Sequence, residues 1–268
     1  MLGINTNVAS LSAQRNLAGS QAAMTQSVQR LSSGLRVNSA KDDAAGLAIA
    51  TRLDAQSRGF AAASRNTNDG ISLLQVSDSA LSGVSDNLQR MRELAVQAAN
   101  GTNGAGDLTN LQTEFAELAD EINNVVGNAS FNSVSLLSGG TADFQVGANS
   151  GDTRTVALTN DFSTDADLTT QDISTGASAA ISAIDTALDA VNTGRAELGA
   201  HLSKFERIVT DLGVKRENSE AAKSRIMDTD YAAETATMTR NQILQQAGTA
   251  MLAQANQMPN AVMTLLRG

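Results

Sequence analysis

Taken at alternating steps of three and four, residues 181–212 return Ile181, Ile184, Leu188, Val191, Arg195, Leu198, Leu202, Phe205, Val209 and Leu212. A stripe of this period predicts a long helix lying along other long helices. At 1.5 Å per residue it is a rod on the order of 45 Å long, more than a compact domain encloses. Only Arg195 interrupts its apolar character. A rod with one apolar stripe needs partners, and the rest of the chain has to supply them.

Two partners are legible. Leu74, Leu81, Val84, Leu88, Met91, Ala95 and Ala98 continue the seven-residue repeat, with Asp86, Arg90, Arg92 and Glu93 on the outward face. The turn dipeptides Asn100-Gly101 and Asn103-Gly104 end this helix. Asp107 then caps a further helix whose seam is Leu108, Leu111, Phe115, Leu118, Ile122 and Val125. Three long helices thus share one narrow core. Such a core closes on Leu, Ile, Val and Ala, which fits a chain that is 3% aromatic and lacks Trp. The segments FNSVSLLSGG, TADFQV and TRTVAL around the loop GANSGD alternate and are rich in β-branched residues, which predicts short strands and a hairpin. Residues 159–178 read as a polar connection, after which the long helix runs to about Ile226.

The two ends resemble each other. Residues 4–32 predict a helix marked by Ile4, Val8, Leu11, Leu17, Met24, Val28 and Leu31, and between Met1 and Leu35 only Arg15 and Arg30 carry charge. Ser39 with Asp42 reads as a capping box opening the next helix, with Asp42 and Asp43 in its first turn. At the other end Asp228 or Asp230 caps a last helix repeating at Leu244, Met251, Met258 and Leu265, with Gly248, Ala255 and Val262 interleaved. No charge falls between Asn241 and Leu266, and Pro259 predicts a kink. A solvated helix face carries Lys and Glu; these faces carry Asn, Ser, Gln and Ala. Two such helices are expected to pair and to be buried among copies of the molecule. The plainer alternative is a weakly helical terminus.

Little chemistry is encoded. There are no cysteines, and the one histidine, His201, has no carboxylate neighbour in sequence, which excludes most zinc-hydrolase and His-based triad arrangements. Asp42 and Asp43 lack the further ligands of a metal site. The loop GANSGDT has no Gly-Lys-Ser/Thr ending and opens no helix, against a phosphate loop. Asn100-Gly101-Thr102 and Asn128-Ala129-Ser130 match the N-glycosylation triplet, a pattern frequent by chance. The net charge of −9 concentrates in residues 101–180, where eleven acidic residues face Arg154 alone, against nucleic-acid binding. No membrane span and no cleavable signal peptide are evident. The expected fold is mainly α: a long antiparallel helical bundle or coiled coil with a small β-hairpin region, plus a paired N- and C-terminal helix domain. No enzyme, metal or cofactor is expected.

The same residues carry a family likeness. INTNVASLSAQRNL, RLSSGLRVNSAKDDAAGLAIA, LQRMRELAVQAANGTN, SRIMDTDYAAETA and QILQQAGTAMLAQANQ resemble, in this order, the terminal regions of bacterial flagellin, over roughly residues 1–140 and 180–268. FQVGAN resembles the family's hairpin region. The family's variable outer domains have no counterpart in 141–178, so the chain resembles a short form.

The resemblance implies a subunit that polymerises into the flagellar filament for swimming. It divides the chain into 1–40, an N-terminal helix of the inner, channel-lining domain with its linker; 41–180, core-layer helices and hairpin; 181–227, a core-layer return helix; and 228–268, the C-terminal helix of the inner domain. The ends are implied to order on assembly. Export through the flagellar secretion channel to the extracellular flagellum is implied, with an export chaperone, filament cap and hook-junction proteins as partners. Gln89, Arg90, Glu93, Leu94 and Gln97, with Glu114 on the facing helix, match positions sensed by a host Toll-like receptor. An Arg and a Leu one turn apart on an exposed helix fit a contact hot spot. Val262, Leu265 and Leu266 match a region sensed by cytosolic inflammasome receptors. The alternatives are a hook–filament junction protein, which shares the terminal helix design, and a free-standing coiled-coil binding module, which would carry charged outer faces at both ends.

Overall fold

The computed structural model describes residues 6–158 and 170–267, the last ten of these by their backbone alone. Its elements are α1 (Val8–Ser33), α2 (Ala44–Ala98), α3 (Ala105–Asn128), β1 (Ser130–Phe131), β2 (Val134–Ser135), β3 (Gly140–Gln145), β4 (Thr153–Leu158), α4 (Ile173–Met227) and α5 (Tyr231–Arg267). The fold is mainly α with two small antiparallel strand pairs, β1 with β2 and β3 with β4, as the periodicities require. The chain divides into two units, residues 1–55 with 218–268, and residues 56–217. α2 and α4 contribute residues to both.

In the unit of residues 56–217 the stripes meet. Leu74, Leu81, Val84, Leu88, Met91, Ala95 and Ala98 of α2 are buried, as are Phe115 and Ile122 of α3 and Ile184, Val191, Leu198 and Phe205 of α4. The neighbouring seam residues, Leu108, Leu111, Leu118, Val125, Ile181, Leu188 and Leu202, are half-buried against them. Each fully buried Leu, Ile or Phe removes apolar surface worth about 1.5–3 kcal/mol. The one break in the stripe has a partner: Arg195 Nε donates to Asp78 Oδ1 at 2.9 Å, so the charge is met across the seam.

β3 and β4 pair antiparallel in register from Gly140↔Leu158 to Gln145↔Thr153. The strand face carrying Val156 and Leu158 is buried, while Thr155 and Ala157 are exposed, the alternation of a half-covered strand. Phe144 of β3 meets Phe205 of α4 edge-on, ring centroids 5.5 Å apart. A β-carbon on Gly70 of α2 would lie 2.6 Å from the Phe205 ring, so glycine is what admits this pair. Leu158, at the end of β4, and Ile173, at the start of α4, are both fixed in the same core.

Three local expectations are corrected. The Ser39–Asp42 interaction closes a turn rather than the helix: Asp42 Oδ2 accepts from Ser39 N at 2.9 Å and Ser39 Oγ at 3.0 Å. It is Asp43 that caps α2, accepting from Gly46 N at 2.8 Å. Either adjacent carboxylate can reach a helix start, and the backbone direction chooses. Asp107 does cap α3, but from inside its first turn, accepting from Gly104 N at 3.1 Å. The connection after β4 ends at Asp172, not near 178. Ile173 N is held by Gln112 Oε1 at 2.8 Å, and Asp172 Oδ1 takes Ser174 N at 2.8 Å, so helix begins there despite the non-helical Gly176.

Candidate functional site

The surfaces with unexplained chemistry lie in the terminal helix pair and on the outward side of α2 and α3. In the unit of residues 1–55 and 218–268, α1 and α5 lie side by side. Asn7 caps α1, accepting from Ser10 N at 2.9 Å, while its Nδ2 donates to Ala255 O at 2.7 Å. Ser10 Oγ donates to Asn256 Oδ1 at 2.8 Å. Asp230, not Asp228, caps α5, accepting from Ala232 N at 2.9 Å. Asp228 instead belongs to a β-bridge with Leu35: Arg36 N donates to Met227 O and Thr229 N to Gly34 O, tying the two linkers together. Arg30 and Glu234 pair at 3.6 Å across the helices.

The residues meeting between α1 and α5 are small or amide-bearing. Ser10, Ser27, Asn241 and Ala255 are buried, and Gly248 lets Leu17 approach to 3.3 Å of where a β-carbon would be. Leu17, Met24 and Leu31 are half-buried. The other apolar marks are exposed. Val8 is 67% exposed, Leu11 55%, Val28 48%, Leu244 51% and Met251 64%, joined by Ile243 at 59%. These residues are thus left exposed on two helices almost without charge rather than closed into the seam between them. An open groove of about 860 Å³ runs between the two helices, lined by Leu17 of α1 and by Leu244, Gly248 and Met251 of α5. Ile4 lies outside the described residues, and so do the side chains of Met258, Val262, Leu265 and Leu266. The backbone of α5 continues helical through Pro259 to Arg267.

On the second surface, Arg90 joins two helices. Its Nε and Nη2 donate to Glu114 Oε1 at 2.9 and 2.7 Å, and its Nη1 donates to Glu93 Oε2 at 2.9 Å. Glu114 first, then Glu93, holds the guanidinium pKa above its ordinary value, so the charge is permanent. Gln89 and Gln97 are exposed beside it. Leu94 is not: it is 1% exposed and belongs to the core. The reading of Arg90 and Leu94 as a joint surface hot spot is therefore corrected, because the α2 stripe is wide enough to take Leu94 inward beside Met91 and Ala95. Sequence reasoning also missed a basic cleft formed by Arg154 of β4 with His201, Lys204 and Arg207 of α4. The spacing of His201, Lys204 and Ile208 held the only available signal.

Among the described residues no cluster of three or more His, Asp or Glu could hold a metal ion, and no helix is long and apolar enough to cross a membrane. A narrow bundle with an exposed apolar surface and an ion-paired flank defines a helical structural protein built for association with other chains. The chain fits the description of the bacterial flagellin N-terminal helical region over residues 4–142 and of the C-terminal helical region over residues 181–266. It is 47% identical to a flagellin of Halalkalibacterium halodurans, the match covering 98% of this chain and 99% of the relative. It is 40% identical to the flagellar filament 33 kDa core protein of Treponema phagedenis, with the same coverage. The crystal structure of Bacillus cereus flagellin superposes with a TM-score of 0.52 at 36% identity, over 55% of this chain and 88% of that one. The chain belongs to the bacterial flagellin family and is a structural subunit of the flagellar filament, not an enzyme.

Proposed function

We propose that residues 1–40 and 228–268 build the filament's inner, channel-lining layer and that residues 41–227 form the layer around it. The observation that supports this is the apolar surface of Val8, Leu11, Val28, Ile243, Leu244 and Met251, left uncovered on helices with almost no charge. A single chain has nothing to bury it against; copies stacked through heterologous contacts do. Ordering of the two ends is coupled to that burial. Ile4, Leu17, Met24, Leu31, Met258, Val262 and Leu265 complete the inner-layer packing.

Export runs through the flagellar secretion channel to the outside of the cell, with an export chaperone, the filament cap and hook-junction proteins as partners; family likeness supports each. The exposed Arg90–Glu114–Glu93 network with Gln89 and Gln97 supports recognition by a host Toll-like receptor, Leu94 holding the helix from beneath. Sensing of Val262, Leu265 and Leu266 by inflammasome receptors rests on likeness alone. Electron microscopy after salt-induced polymerisation tests the central reading. The wild-type chain should form filaments, and Leu11→Glu with Met251→Glu should abolish them while far-ultraviolet circular dichroism still shows a folded bundle. Filaments from the double variant at the wild-type critical concentration would overturn the assignment of the ends.

A further inference from the structure

The basic cleft on α4 is at odds with the rest of the unit of residues 56–217. His201, Lys204 and Ile208 follow each other at steps of three and four, so they share one face of α4, with Arg207 beside them. Arg154 comes from β4, on the same strand face as buried Val156 and Leu158, and brings its guanidinium to this helix face at the edge of the hairpin. Together they line a cleft of about 460 Å³ with Thr155, Phe205 and Ile208, and among the described residues no carboxylate lines it. Arg207 Nε donates to Ser203 O of its own helix, and among the described residues none of these four groups is in an ion pair. In a chain of net charge −9, three cationic side chains and an imidazole facing one cleft call for an anionic occupant.

The same unit carries a matching surface. α3 contains Asp107, Glu114, Glu117, Asp120 and Glu121 and not one basic residue. Glu117, Asp120 and Glu121 are exposed, and among the described residues none of them is in an ion pair; Glu117 and Glu121 lie one turn apart. α3 and the cleft sit at different levels of the bundle. Glu114 of α3 lies against Arg90 of α2, whereas Phe205 of the cleft lies against Gly70 of α2. Twenty residues of helix separate those levels, on the order of 30 Å, and Glu121, seven residues beyond Glu114, still lies about 20 Å from the level of the cleft. One chain therefore cannot close the two surfaces on each other, but a second copy displaced along the bundle can.

We infer that the cleft of Arg154, His201, Lys204 and Arg207 receives the acidic face of α3, Glu117 and Glu121 above all, from a second copy of this chain. The contact rests on the filament reading and adds its register: donor and acceptor surfaces differ, so each copy offers one of each and the contact propagates without closing. Opposed charges set partner and register more than raw affinity.

Charge reversal tests this with the full-length chain. Lys204→Glu with Arg207→Glu makes the cleft acidic, and Glu117→Lys with Glu121→Lys makes α3 basic. Each double variant alone opposes like charges and should raise the critical concentration for polymerisation by about tenfold or more. An equimolar mixture of the two restores opposite charges at every alternating contact and should polymerise near the wild-type concentration, as should the quadruple variant. Unchanged polymerisation of either double variant would overturn the interface. So would failure of both the mixture and the quadruple variant, the result expected if the cleft takes a free anion instead. Sedimentation at low salt provides a readout independent of filaments: the mixture should show a heavier species absent from either variant alone. If the wild-type chain formed no filaments the filament reading would fall, while sedimentation would still decide this contact.

Discussion

At the scale of single residues, the fold depends on a few positions where one atom more would not fit. Gly70 sits beneath the Phe144–Phe205 pair, with a hypothetical β-carbon 2.6 Å from one ring and 3.1 Å from the other. Gly70→Ala should therefore cost about 1–3 kcal/mol by overpacking, read as a lowered urea midpoint at unchanged slope. Asp42 marks a different dependence. Hydrogen bonds from the Ser39 side chain and then its backbone hold this carboxyl below its ordinary value of 3.8. A depressed folded-state pKa stabilises the turn above the ordinary value, and that contribution disappears as pH falls through the lowered one. Ser39→Ala should raise the Asp42 pKa toward 3.8, followed by carboxyl chemical shifts between pH 2 and 6; an unmoved titration would show that the backbone donors suffice. From sequence the Ser39–Asp42 pair was visible, but not its role. Two adjacent carboxylates are equivalent in a string of letters, and only the direction of the chain gives Asp43 the helix and Asp42 the turn.

At the scale of elements, legibility followed what each helix buries. Seams on α2, α3 and α4 could be read residue by residue, because Leu, Ile, Val and Phe there are buried in one core and period and burial coincide. On α1 and α5 the same period misleads about direction. Ser10, Ser27, Asn241 and Gly248 are closed into the pairing, and Val8, Leu11, Leu244 and Met251 are left exposed. Apolar residues waiting for another chain leave the same trace in a sequence as apolar residues packed at home. On α2, Arg90 and Leu94 stand one turn apart, the first exposed and the second buried. Arg90→Ala should weaken activation of the proposed Toll-like receptor in reporter cells by tenfold or more, about 1.4 kcal/mol or above, at unchanged melting temperature. Leu94→Ala should instead lower the melting temperature, with a core loss of about 2–5 kcal/mol. Equal loss of signalling at equal stability for both would argue for a surface role of Leu94.

At the scale of the whole molecule, the basic cleft explains why the charge map of the sequence was only half readable. The acidity of residues 101–180 was evident in one dimension, but its counterpart is assembled from Arg154 and a helix face some fifty residues later, so no window contains it. One feature of the fold also bears on what this chain can be made to carry. Leu158 and Ile173 are each anchored in the bundle core, 5% and 1% exposed, and what joins them is a short polar connection. The bundle core is thus fixed on both sides of this connection. A folded passenger whose own termini lie close together, grafted between 160 and 171, should leave the melting temperature of the host within a few degrees, because lengthening a connection costs only about 0.6 kcal/mol per doubling. Differential scanning calorimetry would check it, passenger and host melting as separate transitions. The chain is then a socket as well as a subunit: every copy added to a filament would display one cargo, at a spacing the host dictates.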